Sequence, residues 1–292
     1  MRSRYEPTKD DAPTFTRPSI FHNLLKTWLA HPLTRNLDLD DPRIVQLRYQ
    51  IIREKPFLHR IYEEWYEQLM AALPPGGGAV LEVGTGAGFF REYMPDVITS
   101  DVVDNSRVDI VLDGLTLPFA DRALRGIVML DVLHHLSQPR RFFGEAGRCV
   151  RPGGAIVMIE PWVTVWSKLV YGKLHHEPFR PDTREWEFPS TGPLSGANGA
   201  LPWILFERDR ADFEREFPAW AIHSIDIQMP FRYLLSGGVS MRALAPGWSF
   251  GLWRALERTL QPWMHRLGMF ALITLNRRTV LGRNDSKRQN SK

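Results

Sequence analysis

Cysteine is nearly absent: Cys149 stands alone in 292 residues. A single thiol excludes an intramolecular disulfide framework and any zinc site built on paired cysteines, and it fits a reducing compartment. No uninterrupted apolar run approaches the roughly 18 residues that a membrane span needs. The charged start M-R-S-R-Y-E-P-T-K-D-D has no apolar stretch behind it, so a cytoplasmic protein is expected. Charge of one sign is missing from the body as well. The formal net charge is +4, but Arg277 to Lys292 hold six Lys/Arg against one Asp, which leaves the rest of the chain at −1. The basic excess therefore describes a tail, expected to be solvated and disordered, rather than a nucleic-acid-binding face. Internal repeats and low-complexity tracts are absent too, which excludes a solenoid.

At 292 residues the chain is long enough for one large α/β domain with additions, or for two modest domains. The hydrophobic share of 43% and the charged share of 24% are ordinary, whereas ten tryptophans are many for this length. A flexible N-terminus (1–20) is expected to precede a helical extension (21–75). Asp41-Pro42 is a good helix start, and Pro56 then breaks the run. Beyond it Leu58, Ile61, Tyr62, Trp65 and Leu69 repeat at i, i+3, i+4, i+7 and i+11, one face of a second helix. Pro74, Pro75 and Gly76 to Gly78 form a breaker. From there to 278 strand-like and helix-like stretches alternate, and a basic tail (279–292) follows. Strand candidates are Ala79 to Val83, Val97 to Val103, Gly126 to Leu130, Ala155 to Ile159, Ala221 to Gln228 and Met269 to Leu275. Short crossovers between the first four imply βαβ units and a mostly parallel sheet. Two insertions interrupt the scheme, at about 161–210 and 231–268. The second carries Leu252, Trp253, Leu256, Leu260 and Trp263, expected on one helical face.

The chemistry-bearing segment is V-L-E-V-G-T-G-A-G-F-F, Val80 to Phe90. Three glycines spaced G-x-G-x-G directly after a strand let the backbone turn tightly and approach a ligand, with a helix N-terminus expected to follow. A dinucleotide fingerprint needs its third glycine at residue 89, which is Phe, so the nicotinamide reading fails there. Nineteen residues beyond Glu82 the second strand ends in V-I-T-S-D, placing Asp101 where a carboxylate can accept both hydroxyls of a ribose. Asp104 and Asp109 lie close enough to compete for that role. Asp113-Gly114, then M-L-D-V-L-H-H-L at 129 to 136 and V-R-P-G-G at 150 to 154, complete an ordered series.

That series, from about Ala79 to Pro161, resembles the class I S-adenosylmethionine-dependent methyltransferases, in particular the methyltransferase type 11 group. The resemblance implies a Rossmann-like, seven-stranded, mostly parallel sheet with helices on both faces, Met269 to Leu275 being its antiparallel strand. It implies S-adenosylmethionine as cofactor. Glu82, Gly84, Thr85, Gly86 and Gly88 would hold its methionine part, Asp101 its ribose and Asp113 its adenine, with Asp131 facing the cleft from the end of the fourth strand.

Methyl transfer from a sulfonium is an in-line displacement, so a protein has mainly to align the acceptor, exclude water and, for a weak nucleophile, remove a proton. His134, His135 and Glu160 are the candidate catalytic residues. His175, His176 and Glu177 lack the i, i+4 spacing that puts two ligands on one helix face, so no metal is expected. The insertion with Y-G-K-L-H-H-E-P-F at 171 to 179, together with Glu160, Trp162 and Trp166, is expected to shape an acceptor pocket over the strand ends, closed by Tyr62 and Trp65. The expected acceptor is a small molecule or lipid-like, with peripheral membrane contact through the tryptophans, the insertions and the tail. A nucleic-acid acceptor is the second reading, weakened because D-V-L-H stands where N-P-P-Y or D-P-P-Y is sought. A non-catalytic cofactor-binding protein is the third.

Overall fold

The computed structural model describes residues 31–33, 43–174, 177–189 and 196–279. The expected flexible N-terminus, the beginning of the helical extension, Asp41-Pro42, His175, His176 and the tail beyond Thr279 lie outside the described residues.

Seven strands form a single sheet. They are β1 (Ala79–Val83), β2 (Ile98–Asp101), β3 (Ile110–Val111), β4 (Leu124–Leu130), β5 (Val150–Pro161), β6 (Trp220–Gln228) and β7 (Phe270–Arg277). Their order is β3-β2-β1-β4-β5-β7-β6. β1 to β5 run parallel, and β7 runs antiparallel between β5 and β6. This is the Rossmann-like mixed sheet the resemblance implies. The order reverses between β1 and β4, the crevice where open α/β sheets bind ligands beyond the carboxyl ends of their strands.

The central strands read as near-continuous apolar runs because both faces are covered. Leu81, Val83, Ile127, Met129, Ile156 and Met158 point to one face, against Phe142, Phe143 and Ala146 of helix α3 (Pro139–Cys149) and against Phe206 and Phe213. α3 is followed, after α4 (Val165–Leu174), by α5 (Arg210–Glu216), which carries Phe213. Val80, Val128, Val157 and Ile159 point to the other face, which the N-terminal helices cover. These are α1 (Arg43–Glu54) and α2 (Pro56–Ala72). Pro56 sits in the first turn of α2, where its missing N–H costs nothing. Phe57, Leu58, Ile61, Trp65, Tyr66 and Leu69 form the buried stripe. Trp65 is 1% exposed, stacks on Tyr233 and meets Phe270 at a tilt; Trp65→Ala leaves a core cavity worth about 3–5 kcal/mol.

The second insertion is anchored on α2. Its helices α6 (Arg232–Ser236) and α7 (Phe250–Thr259) meet at the buried Arg232, which bridges Glu257 and, at 2.6 Å, Glu64 of α2. Lys55, between α1 and α2, donates to the carbonyls of Gly238 (2.6 Å) and Met241 (2.9 Å). Among the described residues no helix is long and apolar enough to cross a membrane.

Candidate functional site

The glycine loop leaves β1 at Gly84, whose φ of +73° favours glycine; a Cβ here would lie 2.6 Å from a methyl of Val132. A Cβ at Gly88 would lie 2.7 Å from the hydroxyl of Tyr66 and 2.9 Å from the carbonyl oxygen of Thr85. The expected helix does not follow. Phe89 and Phe90 turn inward onto Tyr66 of α2, and only one 3₁₀ turn, Phe90–Glu92, forms. Burying two phenylalanines beside α2 removes the outward face that a surface helix would need.

Four of the loop's amides are spent internally. Thr85 N–H donates to the Ser100 carbonyl at 2.8 Å, Gly86 N–H to Asp101 at 2.6 Å, Gly88 N–H to the Thr85 carbonyl at 2.8 Å and Phe89 N–H to the Tyr66 hydroxyl at 2.9 Å. Such a loop offers little of the amide cradle that a pyrophosphate uses. It borders a cavity of about 330 Å³, within the usual size range of small-molecule sites.

The walls of that cavity are acidic. Glu82, Asp101, Asp113, Asp131 and Glu177 line it, with Arg48 contributing a cation. Asp101, buried at the end of β2, also accepts from Val103 N–H at 3.0 Å. Asp104 is not among the lining residues, and Asp109 is turned away to Thr99 and Arg91. Glu82 is 4% exposed and accepts from the Thr85 hydroxyl at 2.8 Å. Burial pushes its carboxyl up to about 7, against the pull of the Thr85 bond and with the push of Asp101. Asp131 follows β4 with φ +62°, a left-handed backbone rare outside glycine. Its side chain is 45% exposed, but that exposure is to the cavity, and enclosure there raises the carboxyl to about 7, opposed by His134 and assisted by Glu160 and Glu177. Asp113 is exposed, and its Oδ1 accepts from Leu115 N–H at 2.9 Å and Thr116 N–H at 3.3 Å, closing a turn at the rim.

The three candidate catalytic residues separate. Glu160, fully buried at the end of β5, accepts from Val132 N–H at 2.8 Å and Leu133 N–H at 2.7 Å and meets His134 Nδ1 at 2.8 Å. His134 is 1% exposed, and its Nε2 lies 3.6 Å from Glu177. Burial opposes its proton, but Glu160, Glu177 and Asp131 outweigh burial and hold the ring well above the usual imidazole range. Neither Glu160 nor His134 lines the cavity: both sit behind its wall, because the carboxylate is consumed in holding the β4 loop. His135 does line it. Its Nδ1–H donates to the Gly196 carbonyl at 3.1 Å, leaving Nε2 as the basic nitrogen, 4.0 Å from Glu177. Burial, then the charge on His134, pushes His135 down to about 4, so it is neutral near pH 7. His134, His135 and Glu177 bring three donor atoms within 4.8 Å of one another, as do Asp131, His134 and Glu160.

The aromatic expectations also separate. Tyr62 lines the cavity, whereas Trp65 and Trp162 are core residues and Trp166 donates to the Pro230 carbonyl. Arg48, Tyr66, Tyr171, Phe179, Tyr233 and Phe270 complete the wall. Tyr171 and Phe179 come from the insertion expected to shape the pocket; sequence reasoning missed Arg48, Tyr66, Tyr233 and Phe270, of which only Tyr66, four residues after Tyr62 on α2, carried a spacing signal.

Residues 81–158 match the family model for a methyltransferase domain. An uncharacterised methyltransferase of Mycobacterium leprae is 27% identical over 160 residues, which is 46% of this chain and 55% of that protein. The tRNA (carboxymethyluridine(34)-5-O)-methyltransferase of Arabidopsis thaliana is 27% identical over 141 residues, 39% of this chain and 33% of that protein. The chain spans about half the length of the first of these. Among solved structures, the geranyl diphosphate C-methyltransferase of Streptomyces coelicolor, in complex with Mg2+, geranyl-S-thiolodiphosphate and S-adenosyl-L-homocysteine, aligns with a TM-score of 0.46 at 14% identity. The alignment covers 86% of this chain and 87% of that one.

Proposed function

We propose that this chain, a class I methyltransferase by its matched domain and its sheet, transfers the methyl group of S-adenosylmethionine to a small-molecule or lipid-like acceptor. The observation that carries the reading is the acidic cavity beside a glycine loop in which the Thr85, Gly86, Gly88 and Phe89 amides are already spent. Such a site suits a cation rather than a pyrophosphate, and S-adenosylmethionine is a sulfonium with an ammonium group. When bound it supplies an electrophilic methyl carbon, open to in-line displacement.

The residues fit that ligand. The missing Cβ atoms at Gly84 and Gly88 let the loop pack against Val132 and Tyr66, so that Gly84, Gly86 and Gly88 bring backbone to the cavity wall where the methionine part lies, and Glu82 and Asp131 supply negative charge beside it. Asp101, aligned by the Gly86 and Val103 amides, accepts ribose hydroxyls, and Asp113 at the rim serves the adenine. Arg48 suits the carboxylate. On the acceptor side, Tyr171, Phe179, Tyr233 and Phe270 form an apolar aromatic wall that excludes water and accommodates a greasy acceptor. His135, neutral and with Nε2 unprotonated, accepts the proton that an acceptor hydroxyl gives up as its bond to the methyl carbon forms; held down to about 4 it is a weak base, with Glu177 beside it favouring the protonated form. His134 and Glu160 act as positioning residues: Glu160 fixes the β4 loop, and His134 holds Glu177 in place. No metal is needed for these roles. The protein is cytoplasmic and meets membranes only peripherally.

The test is transfer of a radiolabelled methyl group from S-adenosylmethionine to extracted metabolites and lipids. Label in an organic-soluble or small-molecule fraction supports the reading; label confined to RNA supports the second reading, a nucleic-acid acceptor, which the tRNA methyltransferase among the relatives favours. Cofactor binding with label in no fraction supports a non-catalytic binder.

A further inference from the structure

Helix α7 is amphipathic in the wrong sense for a soluble surface. Its inward stripe is Phe250, Trp253 and Glu257: Phe250 and Glu257 are buried, and Trp253 is half-buried against Phe231. The outward stripe is Trp248, just before the helix, then Leu252 and Leu256, exposed by 77%, 67% and 42%. The sequence pattern put Trp253 with the leucines; the structure turns it inward and leaves the leucines outside. Trp263, past the helix end, is also exposed, and the short turn Met264–Leu267 after it contacts α4. α4 adds exposed Val165 and Leu169. Isolated exposed apolar residues need no explanation, but a stripe of this kind marks an interaction surface.

The charge around the stripe has one sign. Residues 229–278 contain seven arginines and a single acid, Glu257, which is buried on Arg232. Residues 161–174 contain two lysines, Lys168 and Lys173, and no acid. Lys168, Lys173, Arg254, Arg258 and Arg266 are all exposed; Arg254 shares Glu64 with Arg232, while Arg258 and Arg266 have no ion pair among the described residues.

The same elements lead into the cavity. A small annex of about 80 Å³ opens between α4 and α6, lined by Val170, Tyr171, Tyr233, Leu234 and Met269, and it shares Tyr171, Tyr233, Val239 and Ser240 with the main cavity. α4 therefore presents Val165 and Leu169 outward and Val170 and Tyr171 to an apolar path inward.

We propose that the face formed by Trp248, Leu252, Leu256 and Trp263 with Arg258 and Arg266 docks onto an anionic lipid bilayer, from which an acceptor with an apolar chain enters through the annex. The docking follows from the exposed face alone; the entry route rests on the lipid-like reading of the acceptor above. Indole rings and leucines enter the headgroup boundary and arginines meet anionic headgroups, the pattern of an interfacial helix. Exposed leucines and tryptophans set among these cations favour a bilayer over RNA, for which cations alone suffice.

The test is co-sedimentation of the full chain with vesicles of phosphatidylcholine, with and without phosphatidylglycerol, for wild type, the Trp248→Ser/Leu252→Ser pair and the Arg258→Glu/Arg266→Glu pair. Wild type is expected to bind the anionic vesicles, losing affinity as salt rises, with each pair weakening binding at least about tenfold. These positions are exposed, so circular dichroism and S-adenosylmethionine affinity should stay at wild-type values. Absence of anionic-vesicle binding, or binding unchanged in both pairs, overturns the docking face; the second result would assign binding to the basic tail. Equal binding to both vesicle types, or displacement by tRNA with the arginine pair weakened and the tryptophan-leucine pair intact, overturns it too. S-adenosylmethionine affinity is read on the same samples, so loss of the cofactor reading shows separately.

Discussion

The carboxylate of Asp101 accepts a 2.6 Å hydrogen bond from the amide of Gly86, tying the end of β2 to the middle of the glycine loop. One acid thereby both shapes the loop and lines the cavity. Asp101→Asn keeps the shape but can present an NH2 where the Gly86 amide needs an acceptor. A charge-assisted bond of this kind contributes about 1.5–3 kcal/mol. S-adenosylmethionine binding should therefore weaken roughly 10- to 100-fold, measured by equilibrium dialysis; an unchanged affinity would remove Asp101 from the site.

Gly84 and Tyr66 give a packing prediction. Gly84→Ala meets both a φ of +73° and a methyl contact of 2.6 Å, so it should lower the melting temperature and cofactor affinity together. Gly84→Ala/Val132→Ala should recover only part, because the left-handed backbone still costs about 1–2 kcal/mol. Gly88→Ala should be relieved partly by Tyr66→Phe, which removes the hydroxyl but leaves the Thr85 carbonyl at 2.9 Å. Thermal melts of the single and double variants check both.

The histidines should behave differently. His135→Ala is expected to lower kcat about 100-fold or more while leaving cofactor affinity intact, as loss of a general base does. Glu160→Ala instead strips the acceptor from two buried amides and the partner from a charged His134. It should cost about 3–5 kcal/mol of stability, and urea unfolding reads that directly. A Glu160→Ala variant of wild-type stability would contradict the positioning role.

Glu82 and Asp131 are both raised to about 7, so in the ligand-free cavity each holds a proton for a good part of the time near neutrality. A sulfonium cation favours their ionised forms. Binding should therefore release protons, and affinity for S-adenosylmethionine should rise between about pH 6 and pH 8. S-adenosylhomocysteine, without the sulfonium charge, should show a shallower slope. Without ligand the sign reverses for stability. The folded state retains protons that the unfolded chain has already lost, so these two groups make stability fall as pH rises from the ordinary carboxylate range through about 7. Calorimetry in buffers of different ionisation enthalpy measures the proton release, and a pH-independent affinity would contradict it.

Much of this arrangement was legible in the sequence. Six strands follow from apolar runs, Gly84 and Asp101 follow from their places at strand ends, and the Phe at position 89 departs from the dinucleotide spacing. β3 was not legible, since Ile110–Val111 is too short to show a period. The missing helix after the glycine loop was not legible either: Phe89 and Phe90 fit a helix face until α2 supplies Tyr66 as their partner. Burial decided the division between His134 and His135. Adjacent in sequence, they differ because the chain folds Glu160 beneath one and Gly196 against the other.

The central claim is that the acidic cavity at the glycine loop holds S-adenosylmethionine, and isothermal titration of wild type and Asp101→Ala with that ligand tests it most directly. The account predicts one site per chain in the wild type and loss of binding in the variant. No binding by folded wild type, or equal binding by both proteins, would contradict it.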